Sequence, residues 1–397
     1  MLPPERHRDA AEVFGGAYLV GPVTDRTWSR SVATYKGSTV HGVVEDDGSI
    51  GAVARAFDAE LVVPGARVRA AAVSSVGVRA DRRRRGYLRA LMHTQLSHLR
   101  DDGMVAVTLR ATEAGIYGRF GYGAATSYAT LTVDRARAAF RVGAPGGRTL
   151  RMMAPTAALQ LLPQAHERIL GTRPGAIARP LWWWTNQVSR MLDKDEPLWV
   201  LCTENADGQV DGWVVYTAKH SDGADGQHCT QVQVVDLVGV DADTELALWR
   251  AVLAVDLAQT VRAEGRPLDE VLPLSLVDAR AARLSAVEDE TWLRLLDVPA
   301  ALAARSYGAG DPVVVAVTDT LFPENSGRYR LGAGVVERTE EAEDVVLDVA
   351  ELACVYLGAT SFADLAAAGR LTGSAEALVR ADVLFATPRA PWSGTYF

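Results

Sequence analysis

The chain has almost no lysine. Of its 397 residues only Lys36, Lys194 and Lys219 are lysine, against 38 arginines. That bias fits a GC-rich coding sequence, and it makes arginine clusters common enough that a cluster alone says little. Cysteine is equally scarce. Cys202, Cys229 and Cys354 are scattered and odd in number, which excludes a disulfide framework or a paired-cysteine zinc knuckle. His220, Asp222, Asp225, His228 and Cys229 gather in one Gly/Asp-rich segment, but their spacing matches no standard ligand set, and no metal is expected. No apolar run approaches the length of a membrane-spanning helix. The opening M-L-P-P-E-R-H-R-D lacks the apolar core of a secretory signal, so a cytoplasmic location is expected. Nor is positive charge in excess: 41 Lys and Arg against 49 Asp and Glu give a net charge of −8. General binding to nucleic acid or an anionic membrane is therefore not expected. Neither G-x-x-x-x-G-K-S/T nor G-x-G-x-x-G occurs, which excludes the usual nucleotide loops.

What is present is organised around residues 73–122. Val73, Val76 and Val78 lie in a short β-branched run that reads as a buried strand. Arg82, Arg83, Arg84, Arg85 and Gly86 form a turn. From Tyr87 a helix begins, with Leu88, Leu91, Met92, Leu96 and Leu99 on one face. A strand, a glycine turn and a helix opening at that turn make an anion site, because the first-turn N–H groups have no partner within the helix.

The rest reads as three parts: residues 1–145, 148–287 and 288–397. In the first, helical pieces cover residues 9–36, strands follow at 49–57, 60–63, 68–78 and 104–109, and 129–133 is the last strand. In the second, helices at 156–170 and 180–192 precede strands at 198–203, 212–218 and 232–240. A long helix is expected from Asp241 or Ala242 to about Glu264. Its start carries Asp241, Asp243 and Glu245 and no glycine or arginine. These carboxylates suit a helix dipole and would repel a phosphate. Three successive tryptophans, Trp182, Trp183 and Trp184, cannot face one ligand from one helix, and packing between domains is their expected use. In the third part a strand at 291–296, four later strands and several helices read as an α+β domain. The chain closes on Tyr396 and Phe397, an aromatic end that asks for burial.

Arg83-x-x-Gly86-x-Leu88 resembles the pyrophosphate loop of the Gcn5-related N-acetyltransferases, although Leu88 stands where a small residue is usual. Tyr117-Gly-Arg-Phe-Gly121-Tyr122 is similar to an element that often follows that family's next strand. With a second such domain lacking the loop and a third, sterol-carrier-like domain, nearly the whole chain resembles the enhanced intracellular survival (Eis) acetyltransferases. The most specific segments are residues 81–89, 112–123 and 291–302 and the closing Phe397.

The resemblance implies two tandem Gcn5-like α/β domains followed by a sterol-carrier-like α+β domain. It implies acetyl-CoA as co-substrate, held by Arg83, Arg84, Arg85, Gly86, Tyr87, Leu88 and Arg89, by the backbone of Val76, Gly77 and Val78, and by Thr112 and Glu113. Tyr117 would be the general acid and the Phe397 carboxylate the base, with Trp28 and Tyr396 near the acceptor. Acceptors in the family are multi-amine molecules such as aminoglycosides, in some cases lysine side chains, and the assembly is a homo-hexamer. Protein lysines, peptide amines or polyamines are alternative acceptors. A lipid- or sterol-binding protein without catalysis is the alternative from another class.

Overall fold

In a computed structural model of the chain, the structure describes residues 1–192, 197–222 and 228–397. Contacts divide it into two units: Met1–Thr126 with Glu290–Phe397, and Ser127–Asp289.

The first unit opens with two helices, α1 (His7–Ala17) and α2 (Asp25–Tyr35). The Thr24 side chain caps α2 by accepting from the Thr27 N–H at 3.2 Å. Three antiparallel strands follow: β1 (Ser38–Val44), β2 (Ile50–Val63) and β3 (Ala66–Val78). β1 has no counterpart in the sequence reading, and the strand pieces read at 49–57 and 60–63 are one strand. The first eight residues of β2 are all buried, as in a strand covered on both faces. Helix α3 (Tyr87–Asp101) starts at the expected residue and buries Leu91, Met92, Leu96 and Leu99. β4 (Ala106–Leu109) and the two-residue β5 (Gly123–Ala124) complete this segment.

The second unit contains β6 (Ser127–Asp134), β7 (Arg151–Met153), α4 (Pro155–Ile169), α5 (Leu181–Leu192), β8 (Trp199–Glu204), β9 (Val210–Asp222) and β10 (His228–Gly239). Then come α6 (Ala242–Leu253), β11 (Ala258–Arg266), the short α7 (Leu272–Ser275) and β12 (Ala282–Asp289). Its seven strands run in the order β12-β6-β11-β10-β9-β8-β7. Two expectations are corrected here. The strand at 129–133, read as the last of the first domain, is β6, hydrogen-bonded to β11 and β12. The helix read to Glu264 ends at Leu253, and from Ala258 the chain is β11, parallel to β10. Trp183 and Trp184 pack inside this unit: the Trp184 ring lies 6.0 Å from that of Trp213 and 5.8 Å from His166.

The chain then re-enters the first unit with β13 (Trp292–Leu295), α8 (Val298–Ala304), β14 (Val313–Thr318), β15 (Gly327–Gly332), β16 (Val335–Arg338) and β17 (Val345–Asp348). Helices α9 (Val349–Tyr356) and α10 (Phe362–Ala367), the short β18 (Thr372–Gly373) and α11 (Ala375–Phe385) end it. β14 to β18 form a five-stranded sheet of their own, but β13 does not join it. It inserts between β4 and β5, giving the order β1-β2-β3-β4-β13-β5. The strand at 291–296 is therefore real, but its partners belong to the first sheet.

Gly123 lets α9 dock on this sheet. A Cβ there would fall 2.1 Å from the Ala350 carbonyl oxygen and 2.7 Å from Cys354 Sγ. Gly123→Ala is expected to force α9 outward and cost about 2 kcal/mol or more, read as a lower melting temperature.

Among the described residues, no helix is long and apolar enough to cross a membrane. Among those residues, too, no group of three or more His, Cys, Asp or Glu is placed to hold a metal. Asp225, one of the clustered residues noted in the sequence, lies outside the described residues.

Candidate active site

β3 and β4 part company within the first sheet. They pair in parallel from Ala70↔Ala106 to Val73↔Leu109 and no further. β3 runs on to Val78 against β2 alone. Its pairing there carries a bulge: Val53 faces Gly77 and Arg55 faces Ser74, so Ser75 and Val76 together oppose Ala54. Ser75 takes a φ of +55°, rare for a residue with a side chain. Bulges of this kind bend a strand and re-aim its groups. Past the bulge the Arg79 N–H bonds to Gly51 C=O at 2.9 Å. By antiparallel alternation, the preceding Val78 turns its N–H and C=O to the other edge. That edge is the open side, where β4 has left.

The open edge leads directly to the start of α3. Gly86 caps the helix with φ +81° and no side-chain bond, a conformation that suits glycine. Arg84 also takes a left-handed φ, +63°. Arg82 is committed elsewhere, to Glu45 at 2.9 Å and Asp81 at 2.7 Å. Arg83, Arg84, Arg85 and Arg89 are exposed and bond to none of the described residues. Tyr87 and Leu88 are half-buried in the first turn. Of the arginine run, one member braces the loop and the others face solvent at a helix N-terminus.

The far wall of the opening is the segment after β4. Thr112 and Glu113 are exposed on it, and the Tyr18 hydroxyl reaches across from the end of α1 to hydrogen-bond the Thr112 hydroxyl. Tyr117 is 8% exposed, with its ring 5.8 Å from that of Tyr122. Burial first, then the neighbouring Tyr18 and Glu113, push its phenol up to about 12. It therefore keeps its proton throughout the neutral range and is placed to act as an acid and not as a base.

The last two residues end at the point where the strands part. The Phe397 ring meets Phe57 edge-on at 5.5 Å, and the Arg110 guanidinium lies 5.0 Å from the centre of the Tyr396 ring. Phe57 pairs with Ala72 of β3, and Arg110 follows Leu109, the last β4 residue to pair with β3. The chain terminus thus sits at the apex of the opening. Trp28, expected near the acceptor, sits on α2. It packs on the cluster of Tyr35, Ile50 and Val53, with its ring 5.3 Å from Tyr35.

The second unit has the same opening, but filled. β10 and β11 pair only as far as Val234↔Ala263, and β10 carries a bulge at Val235. Here Arg266 crosses the gap. Its Nη1 donates to Leu237 C=O at 2.6 Å and its Nε to Glu270 at 2.7 Å. Helix α6 is capped by Asp241, which accepts from the Thr244 N–H at 2.8 Å. Burial raises the Glu245 carboxyl in its first turn to about 7. The chain's own side chains occupy the gap, and carboxylates stand where a phosphate would bind.

Sequence reasoning missed Tyr18, Phe57 and Arg110. Each gains its place only through partners distant in the chain, and none stands in a recognisable local pattern.

The similarities to known proteins agree with this geometry. Residues 2–125 and 175–295 each match a family model described as an acetyltransferase (GNAT) domain, and residues 298–394 one described as a sterol carrier protein domain. An uncharacterized N-acetyltransferase of Streptomyces coelicolor is 38% identical over 369 residues, covering 88% of this chain and 87% of that protein. N-acetyltransferase Eis of Mycobacterium tuberculosis is 33% identical over 382 residues, covering 93% of this chain and 91% of that protein. The crystal structure of Eis1 from Mycobacterium abscessus superposes with a TM-score of 0.88 at 34% identity, covering 100% of this chain and 98% of that one.

Proposed function

Because the chain belongs to the Eis family of N-acetyltransferases, within the GNAT superfamily, we propose that it passes the acetyl group of acetyl-CoA directly to a primary amine. The observation that carries this reading is the bulged, unpaired edge of β3 leading to the α3 N-terminus, beside four arginines that bond to no described residue. The pyrophosphate is held by Arg83, Arg84, Arg85 and Arg89 together with the N–H groups of Tyr87 and Leu88. The pantetheine arm pairs with the backbone of residues 76–78 as an added strand, flanked by Thr112 and Glu113. The Val78 N–H polarises the thioester carbonyl and stabilises the oxyanion as the amine attacks. An alkyl ammonium has a pKa near 10, so a proton must leave before attack. The Phe397 carboxylate takes it, through water. The C–S bond then breaks, Tyr117 protonates the departing thiolate, and the second proton released from the adduct nitrogen restores the phenol through water.

For the acceptor we propose a multi-amine molecule of the aminoglycoside type. One observation favours a second acceptor, a less cationic amine such as a lysine side chain. Arg110 lies over Tyr396, and the buried Arg55 lies 5.7 Å from the Phe57 ring that touches Phe397. The Arg110 charge is paired with the buried Glu290 carboxylate; the Arg55 charge beside the terminal rings works against a polycation. Assembly as a homo-hexamer belongs to the same proposal and is checked by light scattering. The test of the reaction is thiol release from acetyl-CoA with aminoglycosides, polyamines and lysine peptides. Turnover with one class supports the reading. Failure to bind acetyl-CoA, together with an apolar ligand that co-purifies, would replace it with lipid binding.

Two outcomes follow. Replacing Arg83 and Arg84 together with Ala raises the KM for acetyl-CoA by about 10-fold or more, with a much smaller change in kcat; an unchanged KM removes their assignment. Tyr117 titrates near 12, so the pH profile of kcat/KM has no alkaline fall from this group below about pH 10. Tyr117→Phe lowers kcat while acetyl-CoA still binds, and full activity in that variant ends its role as the acid.

A further inference from the structure

Glu290 has no part in the reaction as described so far. It is the first residue of the returning segment, ahead of β13, and its side chain is 0% exposed. Four donors converge on its carboxylate. The backbone N–H groups of Ser393 and Gly394 reach Oε2 at 2.8 Å and Oε1 at 2.9 Å. The Thr126 hydroxyl donates to Oε2 at 2.9 Å and Arg110 Nη2 to Oε1 at 2.8 Å. Two successive backbone N–H groups aimed at one anion form a nest. Here the nest belongs to the C-terminal tail and the anion to the body of the first unit.

The tail is shaped for this contact. Gly394 takes φ +60°, and a Cβ there would fall 2.5 Å from the Trp392 ring. The Thr395 N–H turns back to the Ser393 hydroxyl at 3.3 Å. Ser393 and Thr395 are buried. Burial pushes the Glu290 carboxyl up; Arg110 and the three hydrogen bonds oppose this and favour the charged form. An amide at this position would present its NH2 to one of the tail N–H groups and lose the grip. A chain end held by nothing frays. A base displaced by about 1 Å can lose on the order of 100-fold in rate.

We propose that Glu290 is a positioning residue. Its carboxylate clasps the nest at residues 393–394 and so holds the Phe397 carboxylate at the apex where β3 and β4 part. The inference rests on the reading of that carboxylate as the base. Arg110 serves both sides of the clasp, bonding Glu290 and covering the Tyr396 ring.

Glu290→Gln and Gly394→Ala attack the clasp from its two ends. They are compared with the natural chain and with a chain lacking Phe397, using the best acceptor of the amine panel. Each substitution is expected to lower kcat by roughly 10- to 100-fold and to leave the KM for acetyl-CoA and the far-ultraviolet spectrum unchanged. In the chain lacking Phe397, Glu290→Gln costs nothing further, because the group it positions is gone. Unchanged kcat in both variants would overturn the proposal. So would an equal loss from Glu290→Gln with and without Phe397. If Glu290→Gln does not fold, Gly394→Ala carries the test, since it leaves the Arg110 and Thr126 contacts in place. Full turnover in the chain lacking Phe397 is a separate result: it removes the terminal carboxylate as base, and with it the role given to Glu290.

Discussion

Removal of Phe397 is expected to lower turnover by about 100-fold or more while acetyl-CoA binds as before. A positioned general base contributes about 10²- to 10⁴-fold, and the deletion moves the terminal carboxylate one residue away from the apex of the opening. The proposed cofactor contacts lie elsewhere, on residues 76–78 and at the start of α3, so the KM for acetyl-CoA is not expected to follow. The Phe397 ring itself packs on Phe57. Replacing Phe397 by Leu, which keeps the carboxylate and some of the apolar contact, therefore recovers most of the rate. Steady-state thiol release with both proteins decides the point. A deletion that lowers only affinity for acetyl-CoA would assign the tail to cofactor binding instead.

The largest loss of stability is expected at Arg294. This side chain is 0% exposed on β13, and its Nη2 reaches both oxygens of the buried Asp319 at 2.8 Å. Its guanidinium also lies 5.2 Å from the centre of the Phe322 ring. Asp319 in turn accepts from the Leu321 and Phe322 N–H groups at 3.1 Å and from Asn325 Nδ2 at 2.9 Å. The pair joins the six-stranded sheet to the segment that follows β14. Arg294→Met leaves that carboxylate buried without its cation, at a cost of about 3–5 kcal/mol. In a unit of this size that lowers the melting temperature by roughly 10 °C. A double replacement that removes Asp319 as well is expected to cost less than Arg294→Met alone, because no uncompensated charge remains. Calorimetry on the three proteins tests this. Equal melting temperatures for Arg294→Met and the natural chain would show that the pair contributes nothing.

The parts legible in the sequence are those whose chemistry is local. Gly86 adopts a backbone that suits glycine, the arginines sit beside it, and the apolar period of α3 starts one residue later. Those features are set within about a dozen residues and need no knowledge of partners. The filled opening of the second unit was half legible, through its carboxylates at the helix start. The plug itself, Arg266 on Leu237, joins residues 29 apart and leaves no local trace. β11 reads as helix in the sequence because Ala258, Gln259, Arg262, Ala263 and Glu264 favour helices. Its parallel pairing with β10 overrides that preference. β13 is legible as a strand, but the sheet it joins is not, since sheet membership depends on which distant edge is open. Glu290 was invisible for the same reason: its tail partners lie 103 and 104 residues further on.

One of the two strand openings is expected to take acetyl-CoA, while the other is plugged by the chain's own side chains. Isothermal titration of the full chain with acetyl-CoA tests it most directly. One site per chain is expected, lost or strongly weakened when Arg83 and Arg84 are replaced by Ala. Two sites per chain, one site unaffected by those replacements, or no binding at all would contradict it.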